Sequence, residues 1–167
     1  MVGHFLGGIA ALLWNPDDDT YLLLRRAAAR DFGAGNWECI TGRVDQGEGF
    51  EAALRREVQE EIGVAVNVEF FVGTTHFWRG DRTPENELIG VIFCCTLDGD
   101  RDAIRLTHEH DEARWCTVDE AAALLAAQDE NLSEHWLLRL LRRAEALRAL
   151  MPEELRAFHR LLGFETN

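Results

Sequence analysis

Gly42-Arg43-Val44-Asp45-Gln46-Gly47-Glu48-Gly49-Phe50-Glu51-Ala52-Ala53-Leu54-Arg55-Arg56-Glu57-Val58-Gln59-Glu60-Glu61-Ile62-Gly63-Val64 is the stretch on which the reading of this chain turns. Gly42, Gly47 and Gly49 mark a loop. Phe50–Ile62 then runs without glycine or proline, and Gly63 stands where a helix would stop. Ala52, Ala53, Val58 and Ile62 offer a small apolar back face. Glu57, Glu60 and Glu61 sit at i, i+3 and i+4, which places three carboxylates on one face of the predicted helix. Like charges so close repel, and either solvent or cations must relieve them. Hard divalent cations prefer carboxylate oxygen, so this face is a candidate metal site as well as a candidate solvated surface. Arg56, beside the triplet, is placed to anchor Glu48 or a helix carboxylate through a two-pronged pair.

Working outward, the flanks alternate between strand and helix patterns. Phe5–Trp14 is an apolar run of strand length, Asn15–Asp19 is turn chemistry, and Tyr21–Leu24 completes a hairpin. Arg30–Asn36 reads as a loop and Trp37–Ile40 as a short strand. Beyond the helix, Val64–Val72 is predicted as a strand, Gly80–Asn86 as a loop, Glu87–Leu97 as a long strand and Ala113–Cys116 as a further one. Thr117-Val118-Asp119-Glu120 is a capping-box pattern that opens a helix running to Gln128. Trp136, Leu137, Leu140, Leu141, Ala144 and Leu147 recur at helical spacing, and Pro152 and Gly163 bracket a last helix. The expected organisation is a domain over residues 1–128 and a helical extension, 129–167, packed on it. That extension is expected to cover the sheet or to build the face of a homodimer.

Composition narrows the chemistry. The length, 167 residues, suits one domain. A net charge of −13 argues against binding a nucleic-acid duplex, which takes a basic surface. All 17 basic residues are arginine, so mechanisms that need a lysine, a Schiff base or a phosphate-loop lysine, are excluded. Cys39, Cys94, Cys95 and Cys116 have no zinc-site spacing and lie in apolar surroundings, as buried thiols do. No apolar run approaches membrane-spanning length and no basic leader opens the chain, so a cytoplasmic protein without a membrane partner is expected.

The 42–64 stretch resembles the Nudix box: a glycine, a glutamate six residues on, then Arg-Glu, an aliphatic residue, Glu-Glu, and a glycine followed by an aliphatic residue. Gly42, Glu48, Arg56, Glu57, Val58, Glu60, Glu61, Gly63 and Val64 fill every fixed position. The segment Glu109–Trp115 is similar to one common in that family, and the resemblance covers residues 4–128. It implies an α+β fold, an α/β/α sandwich around a mixed sheet with C-terminal helices. It implies hydrolysis of a pyrophosphate bond in a small phosphorylated substrate, a nucleoside diphosphate or triphosphate derivative, with Mg²⁺ or Mn²⁺ held by Glu57, Glu60 and Glu61. Glu57 and Glu60 would then be catalytic. A base would come from the box or from Glu109 or Glu112, with Glu109 the first choice. Gly42, Glu48 and Arg56 would orient the cluster. Where many members carry Pro-Gly-Gly, this chain has Thr41-Gly42-Arg43, which makes Arg43 a candidate phosphate contact. Arg25 and Arg26 are further candidates for phosphate, and Trp78 for stacking on a base. The alternative is a module that senses a nucleotide without cleaving it.

Overall fold

The structure, a computed structural model, describes residues 3–28, 34–128 and 135–166. Residues 30–33 of the predicted 30–36 loop lie outside the described residues, as does the predicted boundary at 128/129 on its C-terminal side. Among the described residues there are seven strands: β1 (Leu6–Asn15), β2 (Thr20–Arg26), β3 (Trp37–Glu38), β4 (Ile40–Arg43), β5 (Val66–Trp78), β6 (Glu87–Leu97) and β7 (His110–Cys116). The described α-helices are α1 (Phe50–Ile62), α2 (Val118–Ala126), α3 (Trp136–Leu150) and α4 (Glu153–Leu162).

The sheet is mixed and it divides along β1. Ile9–Trp14 are all buried because both faces of this strand are covered. Its first half pairs antiparallel with β4, Gly8 opposite Arg43 and Ala11 opposite Ile40, whereas its end pairs with β2 at Trp14 and Asn15. On the other side β1 runs parallel to β6, and β6 is antiparallel to β5. β2 diverges from β1 and carries β3 and β7.

Side chains alternate between two cores. Ala10, Leu12 and Trp14 face a cluster completed by Leu125, Leu137, Leu141 and Ala144 of α2 and α3. Ile9, Ala11 and Leu13 face Leu54, Val58 and Ile62 of α1. The result is the expected layering of helices on both faces of a mixed sheet. Burying each leucine of this kind contributes about 1.5–3 kcal/mol.

Several boundaries differ from the sequence expectation. The single strand expected over Trp37–Ile40 is two, broken at Cys39, because Trp37 belongs to the α2/α3 core and pairs with β2 while Ile40 belongs to the α1 core and pairs with β1. β5 begins at Val66 and extends beyond the expected Val72 to Trp78, where Thr74–His76 pair with Ile89–Val91 of β6. β7 begins at His110, three residues earlier than expected. The Thr117/Glu120 capping box forms, but α2 ends at Ala126. Pro152 flanks α4 at its N-cap instead of entering the first turn, and Gly163 ends it. Cys39, Cys94, Cys95 and Cys116 are buried free thiols, as expected. Among the described residues no helix is long and apolar enough to cross a membrane.

Candidate active site

β4 and α1 bring the box together around one arginine. Arg56 donates from Nε and Nη2 to the two oxygens of Glu48, at 2.8 and 2.9 Å. Its Nη1 donates to Glu57 at 2.9 Å and to Glu60 at 3.3 Å, and Nη2 also reaches the Arg43 carbonyl at 2.8 Å. Glu48 in turn accepts from the Asp45 amide at 3.1 Å. Arg56 thereby ties the end of β4, the glycine loop and two acids of the helix into one unit. The Arg56 guanidinium holds the Glu48 carboxyl down at about 2, and the Glu48 and Glu57 carboxylates in turn push the Arg56 guanidinium up. The repulsion expected along the acidic face is thus relieved from inside the chain. Gly42 faces this unit at very close range: a Cβ there would lie 2.0 Å from the Glu57 carboxyl carbon, so only glycine lets β4 run this near the helix.

Glu61 has a different environment. Its side chain is 8% exposed, against 16% for Glu57 and 59% for Glu60. Its Oε2 has no hydrogen-bond partner, and the Nδ1 of His110, 3.7 Å away, has none either. His110 Nε2 sits 2.9 Å from Glu38, and Arg26 donates to both oxygens of Glu38 at 2.9 and 3.1 Å. A line of contacts, half-buried at Arg26 and Glu38 and buried at His110 and Glu61, thus runs from β2 through β3 and β7 to the end of α1. Burial raises the Glu61 carboxyl to about 9, and the charges of Glu38, Glu57 and Glu109 push it the same way, against a backbone hydrogen bond from Thr41. An acid so raised, with an orphaned oxygen, is a group whose charged form awaits a partner.

A family model described as the NUDIX domain matches residues 4–140. The chain belongs to the Nudix family of pyrophosphohydrolases. It is 32% identical over 133 residues to a protein of Salmonella arizonae called nucleoside triphosphatase NudI, a match that spans 74% of this chain and 89% of that one. Its fold is similar to that of a MutT protein from Methanosarcina mazei Go1, with a TM-score of 0.66 at 22% identity over 89% of this chain and 98% of the other. It is also similar to a C. elegans Ap4A hydrolase, with a TM-score of 0.63 at 21% identity over 89% and 99%.

The Nudix helix and loop are where the box predicted them, but the other candidates are spread over the sheet. Among the described residues no three His, Cys, Asp or Glu side chains stand close enough together to grip an ion as they are, because Arg56 draws Glu57 and Glu60 while Glu61 turns towards His110. The donor set still suits a hard cation. It is all oxygen, it includes one orphaned buried carboxylate oxygen, and β4 is stripped to glycine beside Glu57. Glu109 lies near enough to Glu61 to raise its pKa, and its carbonyl accepts from the Ala27 amide at 2.9 Å. Glu112 is on β7 and pairs with Arg25 at 2.8 Å and Arg114 at 2.6 Å. Arg25 alternates to the α2/α3 face, where it also binds Asp111 at 2.7 Å and lies over the Trp37 ring. Arg26 points to the α1 face but is bound to Glu38. Arg43 is exposed at the end of β4. Trp78 ends β5, with His76 at its edge and Arg82 over its ring; β6 and β1 separate it from β4, roughly 14 Å at ordinary strand spacing. Glu38 and His110 were missed as a pair. The one signal was a glutamate set between Trp37 and Cys39 in a strand pattern.

Proposed function

We propose that this protein hydrolyses a pyrophosphate bond in a nucleoside triphosphate or a related nucleotide derivative, with Mg²⁺ or Mn²⁺ bound by Glu57, Glu60 and Glu61. The observation that carries this reading is the unlike treatment of three acids on one helix: two held by Arg56, the third buried with an orphaned oxygen. The name of the 32%-identical relative, a nucleoside triphosphatase, supports the substrate class. Held by these acids, such cations would neutralise charge on the diphosphate and lower the pKa of a water. Arg56 and Glu48 position the acids, and Gly42 lets the strand approach. Glu109, beside Glu61, takes the proton of the attacking water. Arg43, exposed at the end of β4, meets substrate phosphate. Arg26 stabilises Glu38, which fixes the His110 ring against Glu61; Arg25, committed to β7, and Trp78, at the far edge, are weaker candidates for substrate contact.

The deciding experiment is a panel of nucleoside triphosphates, dinucleotides, nucleotide sugars and ADP-ribose incubated with Mg²⁺ and resolved by chromatography. Turnover of at least one member that stops on chelation is the expected result. Tight binding of a nucleotide with no metal-dependent product would instead make the protein a sensor.

A further inference from the structure

The first turn of α1 has no cap of its own, since Gly49 at the N-cap position carries no side chain. The far end of the chain supplies one. Glu165 accepts from the Phe50 amide at 2.5 Å, and a Cβ on Gly49 would lie 2.3 Å from the same carboxylate. Reciprocally, Glu51 in the first turn of α1 accepts from the Phe164 amide. Two acids therefore sit at the positive end of the helix dipole, one of them from outside the helix.

This contact is built, not incidental. Gly163 adopts φ 72 and ψ −170, a backbone region open essentially to glycine, which turns the chain back after α4. Phe164 then packs into the α1 core, with its ring 5.1 Å from Phe93 and stacked 4.1 Å from His159. α4 itself is held to β5 by Arg160, which binds the buried Glu69 at 2.5 Å. Arg160, Gly163, Phe164 and Glu165 all lie beyond residue 140, where the family match ends, and their partners Glu69, Phe93 and Phe50 lie inside it.

We propose that the C-terminal tail is a clasp that caps the Nudix helix from outside the family domain, with Glu165 as a positioning residue for the metal-binding acids. This rests on the function proposed above for those acids. The physical link is short: the capped turn follows directly on Glu48, and Glu48 is the two-pronged partner of the Arg56 that holds Glu57 and Glu60. A frayed first turn loosens that whole unit.

The test uses the full chain with Glu165→Ala, Glu165→Gln and the double variant Gly49→Ser/Glu165→Ala. Gln keeps an acceptor oxygen, and Ser at the N-cap gives the helix a cap that does not need the tail. NMR-detected amide exchange is read without metal, Mn²⁺ affinity by calorimetry, and kcat and KM on whichever substrate is turned over. For Glu165→Ala we expect exchange at Phe50–Ala52 to quicken about fivefold, the loss expected of a missing cap, with β1 and β6 unchanged. Mn²⁺ binding weakens and kcat falls, each about threefold, while KM holds; both Glu165→Gln and the double variant recover most of this. Unchanged exchange at Phe50 overturns the clasp. Faster exchange with unaltered Mn²⁺ affinity, or failure of the Ser variant to rescue, reduces Glu165 to a structural anchor and overturns its positioning role. If the wild type binds no Mn²⁺, the metal reading fails and takes the coupling with it, while the exchange arm still decides the cap.

Discussion

On the exposed side of α1 the fold provides a cation of its own, Arg56, whereas at the buried end of the same helix no arginine among the described residues pairs with Glu61. Glu57 and Glu60 share Arg56 with Glu48, so their charge is compensated before any ligand arrives. Glu61 meets a histidine nitrogen that makes no hydrogen bond, and burial first, then the charges of Glu38, Glu57 and Glu109, raise its pKa. The contrast shows how one acidic stripe can be both folded and reactive. Arg56 offsets the repulsion where the acids are solvated, and the burial penalty is kept at Glu61, the acid to which the proposed function gives a cation. Among like charges, the informative member is the one left without compensation.

The largest expected effect falls on turnover. Glu57→Gln keeps the shape of the side chain and removes a charge, and it should lower kcat by roughly 10² or more, the scale of losing a key electrostatic group. Steady-state assays on the substrate found by the panel measure this; activity equal to wild type would make the stripe an ordinary solvated face. Gly42→Ala comes next. A Cβ 2.0 Å from the Glu57 carboxyl must push strand or acid aside, so stability should drop by about 1–3 kcal/mol in chemical denaturation. Mn²⁺ affinity should fall with it, and a variant that binds Mn²⁺ normally would show that the close approach is unimportant.

Protonation sharpens the buried half of the comparison. The folded Glu61 carboxyl is raised from 4.5 to about 9, so the folded chain holds a proton that the unfolded chain has released. The stability of the metal-free protein should therefore be full below about pH 4.5, as far as this group is concerned, and decline as pH rises towards 9. Mn²⁺ must displace that proton, so its apparent affinity should climb by up to about tenfold per pH unit over the same window. Calorimetry in buffers of different ionisation enthalpy would count the proton. Glu61→Gln mimics the protonated acid and should flatten both profiles; an unaltered slope would assign the proton elsewhere. The smallest effect is a control on the opposite face. Thr117→Ala removes the α2 capping box, which should cost about 1 kcal/mol of stability and leave Mn²⁺ affinity alone.

Local patterns settled much of this protein in advance. The spacing from Gly42 to Val64 specified a loop, a helix over Phe50–Ile62 and three acids on one face, because helix period and glycine punctuation are properties of neighbours in the chain. The same is true of the long β6 strand, the α2 capping box and the leucine stripe of α3. Tertiary structure alone decided what meets across distance. Cys39 splits one apparent strand because its two halves are claimed by different cores. His110 reaches Glu38 over 72 residues, and Glu165 reaches Phe50 over 115, pairings that no local periodicity encodes. Arg25 and Arg26, adjacent in sequence, are sent to opposite faces by the strand's two-residue alternation, and only the placement of each core tells which face carries the acids.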